Sequence, residues 1–208
     1  MIPLFVDCSG RRIVIFGGGD VAARKAAYFS GKADVTIVSR SFVPAVDGLD
    51  VKRVELDLAT VTGRQLALLL SGAFLVIAAI SDPATNNRIG KACRAIGILF
   101  NNADGEPGDV ILPAVTGGEN YTIAVSTRGA SPAISRFIRE RIEEDFPALD
   151  KMIDLQGRLR EVLRESEPDQ ARRTAVLWNV LEDHAVWETL LTNPGLAWDD
   201  VQRRYLHE

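Results

Sequence analysis

Three short stretches of this chain carry residue types that could do chemistry. The first, Gly17-Gly18-Gly19-Asp20-Val21-Ala22, fits the spacing G-x-G-x-x-A. There Gly17 allows a tight turn, Gly19 lets backbone approach a pyrophosphate, and small Ala22 lets the next helix lie close on its strand. The helix start then offers free N–H groups and partial positive charge to phosphates. The second stretch, Asn101-Asn102-Ala103-Asp104, puts a carboxylate just past an apolar run, where open parallel sheets bind ligands. Asp104 there is either a proton acceptor or a turn-capping residue before Gly105. The third, Ser126-Thr127-Arg128-Gly129-Ala130-Ser131-Pro132, is a loop rich in hydroxyls that enters a helix. Ser131 can cap that helix and Pro132 fits its first position.

The elements that must position these residues alternate. Strands are expected at Arg12–Phe16, Asp34–Val38, Val51–Leu56, Ala73–Ala79 and Ile98–Phe100, with helices at Val21–Ser30, Gly63–Leu70 and Pro83–Ile96. The unbroken apolar run Ala73–Ala79 predicts burial on both faces. Alternating strands and helices of this size predict an α/β fold, with a Rossmann-like parallel sheet and right-handed crossovers. After Asp104 the pattern changes. Val110–Leu112 and Tyr121–Ser126 read as two strands joined through Gly117-Gly118-Glu119-Asn120, followed by a helix over Ala133–Asp145. From Ala148 onward only amphipathic helices are expected, broken near Pro168 and Pro194. The expected division is 1-104, a dinucleotide-binding domain; 105-146, a small β-β-α region; and 147-208, an all-helical part.

Composition narrows the function classes. The chain has 208 residues, 47% hydrophobic and 25% charged, with a formal net charge of −4. These values suit a globular domain and exclude a disordered tail, a collagen or a coiled-coil rod. A mildly acidic chain has no general attraction to nucleic acid or anionic membrane. The N-terminus lacks a basic segment before its apolar residues, so no signal peptide is expected. The longest apolar stretch, about Gly72–Ile80, is far short of the roughly 18–20 residues of a membrane span. Two cysteines, Cys8 and Cys93, form no disulfide framework and suit a reducing cytoplasm. The two histidines, His184 and His207, both fall in the helical tail, and no His/Cys/carboxylate cluster predicts a fixed metal. After the second strand, where NAD sites often carry Asp or Glu, stands Ser39-Arg40-Ser41. Arg40 there suits a 2′-phosphate as well as it suits solvent, so residue chemistry alone leaves NAD and NADP open.

Taken together, the motifs resemble one family. GGGDVAARKAAYF is similar to the GGGxVAxRKxxxL segment of precorrin-2 dehydrogenases, the NAD-dependent domain of siroheme synthases. Asn101–Asp104 is similar to the family's N-x-x-D, and Pro113-Ala114 to the pair that follows it. Thr122–Glu143 resembles IAxSTxGxSPxLAxxLRxxIE. The likeness is strong over residues 1–145, and beyond them rests on helical character alone. The chain ends before any methyltransferase domain, so the free-standing form of the enzyme is expected.

The resemblance implies oxidation of precorrin-2 to sirohydrochlorin in siroheme biosynthesis, with NAD as hydride acceptor; some members then insert ferrous iron. It implies NAD rather than NADP, a catalytic role for Asp104, and cofactor contacts at Gly17, Gly19, Asp20, Val21, Arg40 and Ser41. Ala79 and Ile80 are expected beneath the nicotinamide, with core packing as the alternative. The substrate is a polycarboxylate, so Ser126, Thr127, Arg128 and Ser131 are candidate carboxylate contacts at the helix start. The competing use of that loop is dimer packing, since the family forms homodimers through this region. Arg128 departs from the glycine that members often have there, and the loop after Asp104 is one residue shorter than usual. Without a metal cluster, any iron would be held by the tetrapyrrole and Asp104. A competing reading is an NAD(H)-sensing regulatory module without turnover, which would need neither Asp104 nor the Ser126–Pro132 loop.

Overall fold

The structure, a computed structural model, describes residues 2–206; His207 lies outside the described residues. Five strands form a parallel sheet in the order β3-β2-β1-β4-β5: β1 (Arg12–Phe16), β2 (Asp34–Ser39), β3 (Lys52–Glu55), β4 (Ala73–Ala78) and β5 (Leu99–Asn102). Alternate residues of each strand feed opposite layers. Ile13, Ile15, Val35, Ile37, Leu75 and Ile77 pack against α1 (Asp20–Phe29) through Ala22, Ala23, Ala26 and Phe29. Val14, Phe16, Val38, Val76, Ala78 and Phe100 pack against α2 (Gly63–Leu70) and α3 (Pro83–Ala95) through Leu66, Leu70, Ile89 and Cys93. The alanines let α1 lie close to the sheet.

The chain runs outward from β1 through β2 to β3, then returns to place β4 on the other side of β1. The crevice at the strand ends where the order reverses is where such sheets bind ligands.

Val110–Leu112 does not form the expected strand; the first hairpin strand starts at Ala114. The Val110 N–H donates to Phe100 O at 3.0 Å, and Asn101 Nδ2 donates to Val110 O at 2.7 Å. Val110 and Leu112 pack on the α1 side of the sheet. Gly108 permits this course, because a Cβ there would lie 2.3 Å from Phe100 O. Pro113, with no N–H, cannot donate to a ladder.

The chain divides into two compact units between Leu112 and Pro113. In the second, β6 (Ala114–Gly117) pairs antiparallel with β7 (Thr122–Val125) in the register Gly117↔Thr122. The Asp150 carboxylate holds the turn, accepting from the N–H groups of Glu119 and Asn120 at 3.0 and 2.9 Å. Then come α4 (Pro132–Asp145), α5 (Leu149–Ser166), α6 (Gln170–Glu182), α7 (His184–Thr192) and α8 (Pro194–Tyr205). Met152, Leu155, Leu159 and Leu163, at helical spacing on α5, form a core with Val180, Val186, Leu190, Trp198 and Val201. The helices break near Pro168, between α5 and α6, and near Pro194, where α7 ends at Thr192 and Asn193 caps α8. A further break falls at Asp183, which ends α6 and caps α7.

Candidate active site

The three glycines after β1 meet three different demands. Gly17 has φ 123°, and a Cβ on it would lie 2.3 Å from Ala79 O; its N–H donates to Val38 O at 2.9 Å. It therefore passes between the ends of β2 and β4 with no room for a side chain. Gly18, which the motif leaves free, is just as constrained, because a Cβ would lie 1.9 Å from Ser41 O. Its carbonyl accepts from Val43 N–H at 2.9 Å. Gly19 is the opposite case, because a Cβ there would meet nothing within 4 Å. Space is thus kept open where a pyrophosphate would approach.

The start of α1 completes that cradle. α2, α3, α4, α6, α7 and α8 each have a side-chain N-cap; α1 and α5 have none, and of these two only α1 opens onto the glycine loop. Its first-turn N–H groups therefore lack a side-chain acceptor, as an anion-binding helix start requires. Gly17, Gly19, Asp20, Val21, Arg40, Ser41, Ala79, Ile80 and Asp104 all line one cleft of about 720 Å³ at these strand ends.

Where NAD sites often carry an acid after the second strand, this cleft carries Arg40, whose side chain is 75% exposed. Arg40 Nη1 lies 3.9 Å from Asp57 Oδ2. Asp57 follows β3, lines the same cleft, and was not a candidate in the sequence. Only the fold brings it beside Arg40.

Asp104 is exposed on the cleft wall. Its N–H donates to Asn102 Oδ1 at 3.3 Å and its carbonyl accepts from Asn86 Nδ2 at 3.2 Å. The carboxyl group remains free to face a ligand. On α1, Lys25 donates to Asn101 Oδ1 at 2.8 Å. Burial first, and then the neighbouring Arg24 charge, push the Lys25 ammonium below its ordinary pKa. Burial and Asp109 push the Cys93 thiol up to about 11, so it stays protonated and is not a nucleophile. Among the described residues no group of three or more His, Cys, Asp or Glu side chains could hold a metal.

Ser126, Thr127, Arg128 and Ser131 lie together in the second unit, in the loop that enters α4. The hydroxyls are occupied locally. Thr127 Oγ1 donates to Ser131 O at 2.9 Å and accepts from Ser131 N–H at 3.0 Å. Ser126 Oγ accepts from Arg128 N–H at 3.1 Å, and Ser131 Oγ caps α4 at Ile134 N–H, 3.3 Å. Arg128 has φ 55°, unusual for a residue with a side chain.

The sheet order, the open glycine cradle and the uncapped α1 define an NAD(P)-binding domain of the Rossmann class. Residues 4–114 match a family model described as "Putative NAD(P)-binding". The chain is 43% identical over 191 residues to a precorrin-2 dehydrogenase of Methanosarcina barkeri, an alignment covering 89% of this chain and 85% of that one. It is 32% identical to a siroheme synthase of Azotobacter vinelandii over 92% of this chain, and spans 41% of that protein. The solved structure of SirC, a precorrin-2 dehydrogenase, is similar in fold, with a TM-score of 0.69 at 19% identity, over 98% of this chain and 100% of that one. The chain belongs to the precorrin-2 dehydrogenase family, which sets aside the regulatory reading.

Proposed function

We propose that this protein oxidises precorrin-2 to sirohydrochlorin, with NAD as hydride acceptor and Asp104 as proton acceptor. The observation that carries the reading is the shared cleft, in which Asp104 lines the same wall system as the glycine cradle. Bound NAD supplies the redox chemistry by accepting a hydride. The chain's own residues do the rest. Gly19 and the start of α1 hold the pyrophosphate. Ala79 and Ile80 form the floor beside which the nicotinamide lies. Asp104 takes the proton that precorrin-2 loses as the hydride leaves, so one substrate bond pair goes to NAD and one proton to the carboxylate or solvent.

Arg128 is assigned to a substrate carboxylate through its guanidinium, since Ser131 already caps the start of α4. The division 1-104, 105-146 and 147-208 then separates nucleotide binding, substrate and dimer contacts, and the helical part. α4 exposes Ile134 (49%), Phe137 (59%) and Ile138 (39%) at helical spacing, which supports a homodimer through this helix. Phe137→Glu is expected to give a monomer by light scattering; a monomeric wild type at micromolar concentration overturns the dimer. Free Cys8 and Cys93 support a cytoplasmic location. No described helix is long and apolar enough to cross a membrane.

The test is anaerobic mixing of protein, precorrin-2 and NAD, followed by NADH fluorescence and the sirohydrochlorin spectrum. Adding ferrous iron afterwards reads any insertion, which rests on Asp104 and the tetrapyrrole alone. Asp104→Asn should bind NAD normally and lose about 10²–10⁴-fold in oxidation rate. Normal NAD binding without sirohydrochlorin formation by the wild type would sink the assignment.

A further inference from the structure

Asn86 is an unusual residue to find fully buried in a helix. It lies one turn into α3 and is 0% exposed. It is not needed to cap that helix, because Asp82 already accepts from Ala84 and Thr85 N–H at 3.2 and 3.0 Å. A buried amide costs stability unless it is hydrogen-bonded, and this one is bonded on both sides. Its Oδ1 accepts from Ile80 N–H at 3.2 Å, while Nδ2 donates to Ile80 O at 2.8 Å and to Asp104 O at 3.2 Å. The reversed amide would set its NH₂ against an N–H and its oxygen against two carbonyls, so the network fixes the orientation.

Those partners span the cleft wall. Ile80 follows β4, and Asp104 follows β5. With Asn102 holding the Asp104 N–H at 3.3 Å, both backbone polar groups of Asp104 are held by asparagine side chains. Only the Asp104 side-chain torsions remain to aim the carboxyl group.

We propose that Asn86 is a positioning residue for the oxidation, fixing Asp104 relative to the Ile80 floor through one amide. The proposal rests on the reading of Asp104 as proton acceptor. Its alternative is purely structural, in which Asn86 merely satisfies the Ile80 peptide groups. The two differ in coupling. If Asn86 acts through Asp104, its removal matters only while the carboxylate is present.

The experiment is a double-mutant cycle on the full chain with Asn86→Ala, Asp104→Asn and the double variant. The readouts are single-turnover oxidation of precorrin-2 with enzyme in excess, NAD affinity by titration, and thermal midpoint. Asn86→Ser, which keeps a polar group but loses the amide that reaches Asp104 O, repeats the cycle if Asn86→Ala does not fold. Displacing a reacting group by about 1 Å can cost roughly 10²-fold. The expected result is a fall of about 10–100-fold for Asn86→Ala in the wild-type background. NAD affinity should hold, and no further fall should appear in the Asp104→Asn background. Equal falls in both backgrounds, or an unchanged rate in a folded Asn86 variant, overturn the positioning role and leave Asp104 standing. A wild-type rate for Asp104→Asn itself removes the proton acceptor, and this proposal with it.

Discussion

Arg40 and Asp57 face each other across the mouth of the nucleotide cleft, 3.9 Å apart, although they follow different strands. A 2′-phosphate drawn in by the exposed guanidinium would meet the carboxylate. Such repulsion is worth about 1 kcal/mol in water at contact distance, a roughly fivefold change in affinity. Asp57→Ala should therefore raise the affinity for NADP relative to NAD by about that factor. Titration of both nucleotides reads the ratio, and an unchanged ratio denies Asp57 a part in selectivity.

The glycine loop separates binding from folding. Gly19→Val places its side chain in open space, so the thermal midpoint should stay near wild type while NAD binding is lost. Gly17→Ala, at φ 123° and against Ala79 O, should instead lower stability by about 1–3 kcal/mol or more. Thermal unfolding beside NAD titration checks both. A Gly19→Val protein that binds NAD normally would mean that the pyrophosphate does not pass there.

Arg128 combines an unfavourable backbone with a charged side chain. A left-handed conformation costs a residue with a Cβ about 1–2 kcal/mol, whereas glycine loses about 0.5–1 kcal/mol through its unfolded-state freedom. Arg128→Gly should thus leave the fold intact and raise stability by about 0.5–1 kcal/mol. If the guanidinium grips a substrate carboxylate, KM for precorrin-2 should rise about tenfold, the equivalent of one charge-assisted hydrogen bond, with little change in kcat. An unaltered KM removes Arg128 from the substrate site.

The second unit should carry an acid-sensitive contact. Partial burial pushes the Asp183 carboxyl up, but hydrogen bonds from Tyr205, Ala185 N–H and Arg204 outweigh it and hold the group below its ordinary 3.8. The native pKa lies below the unfolded one, so this stabilisation is full above about pH 4 and fades as pH falls through the lowered value. Asp183→Asn keeps a capping oxygen but loses the charge. Its stability at pH 7 should fall by about 1–2 kcal/mol, and the gap to wild type should be smaller at pH 3. Urea unfolding at the two pH values measures this, and a gap of equal size at both would contradict it.

Much of the first unit was legible because local pattern and tertiary demand agree there. Arg12–Phe16, the glycines and the alanines of α1 each read the same way alone as in the fold. Val110–Leu112 misled because an apolar triplet before proline looks like a strand. Val110 and Leu112 do pack against the core, but the backbone follows β5 through a single main-chain bond and the Asn101 amide. Asn86 carried no signal, since an asparagine near a helix start ordinarily reads as solvated. Thr127 and Ser131 look like ligand groups by type, and the structure spends their hydroxyls on the loop itself. Asp57 could not be found by spacing, because its partner Arg40 belongs to another strand.

The segment carrying Asp104 also guards the sheet. β3, at one edge, is short and charged, Lys52-Arg53-Val54-Glu55, which discourages pairing with another chain. β5, at the other edge, has the Val110 N–H seated on Phe100 O. A change that frees residues 105–112 would therefore bare an unprotected strand as well as displace the carboxylate. Variants in this stretch should be judged by aggregation during expression and by amide exchange at Val110 as much as by turnover.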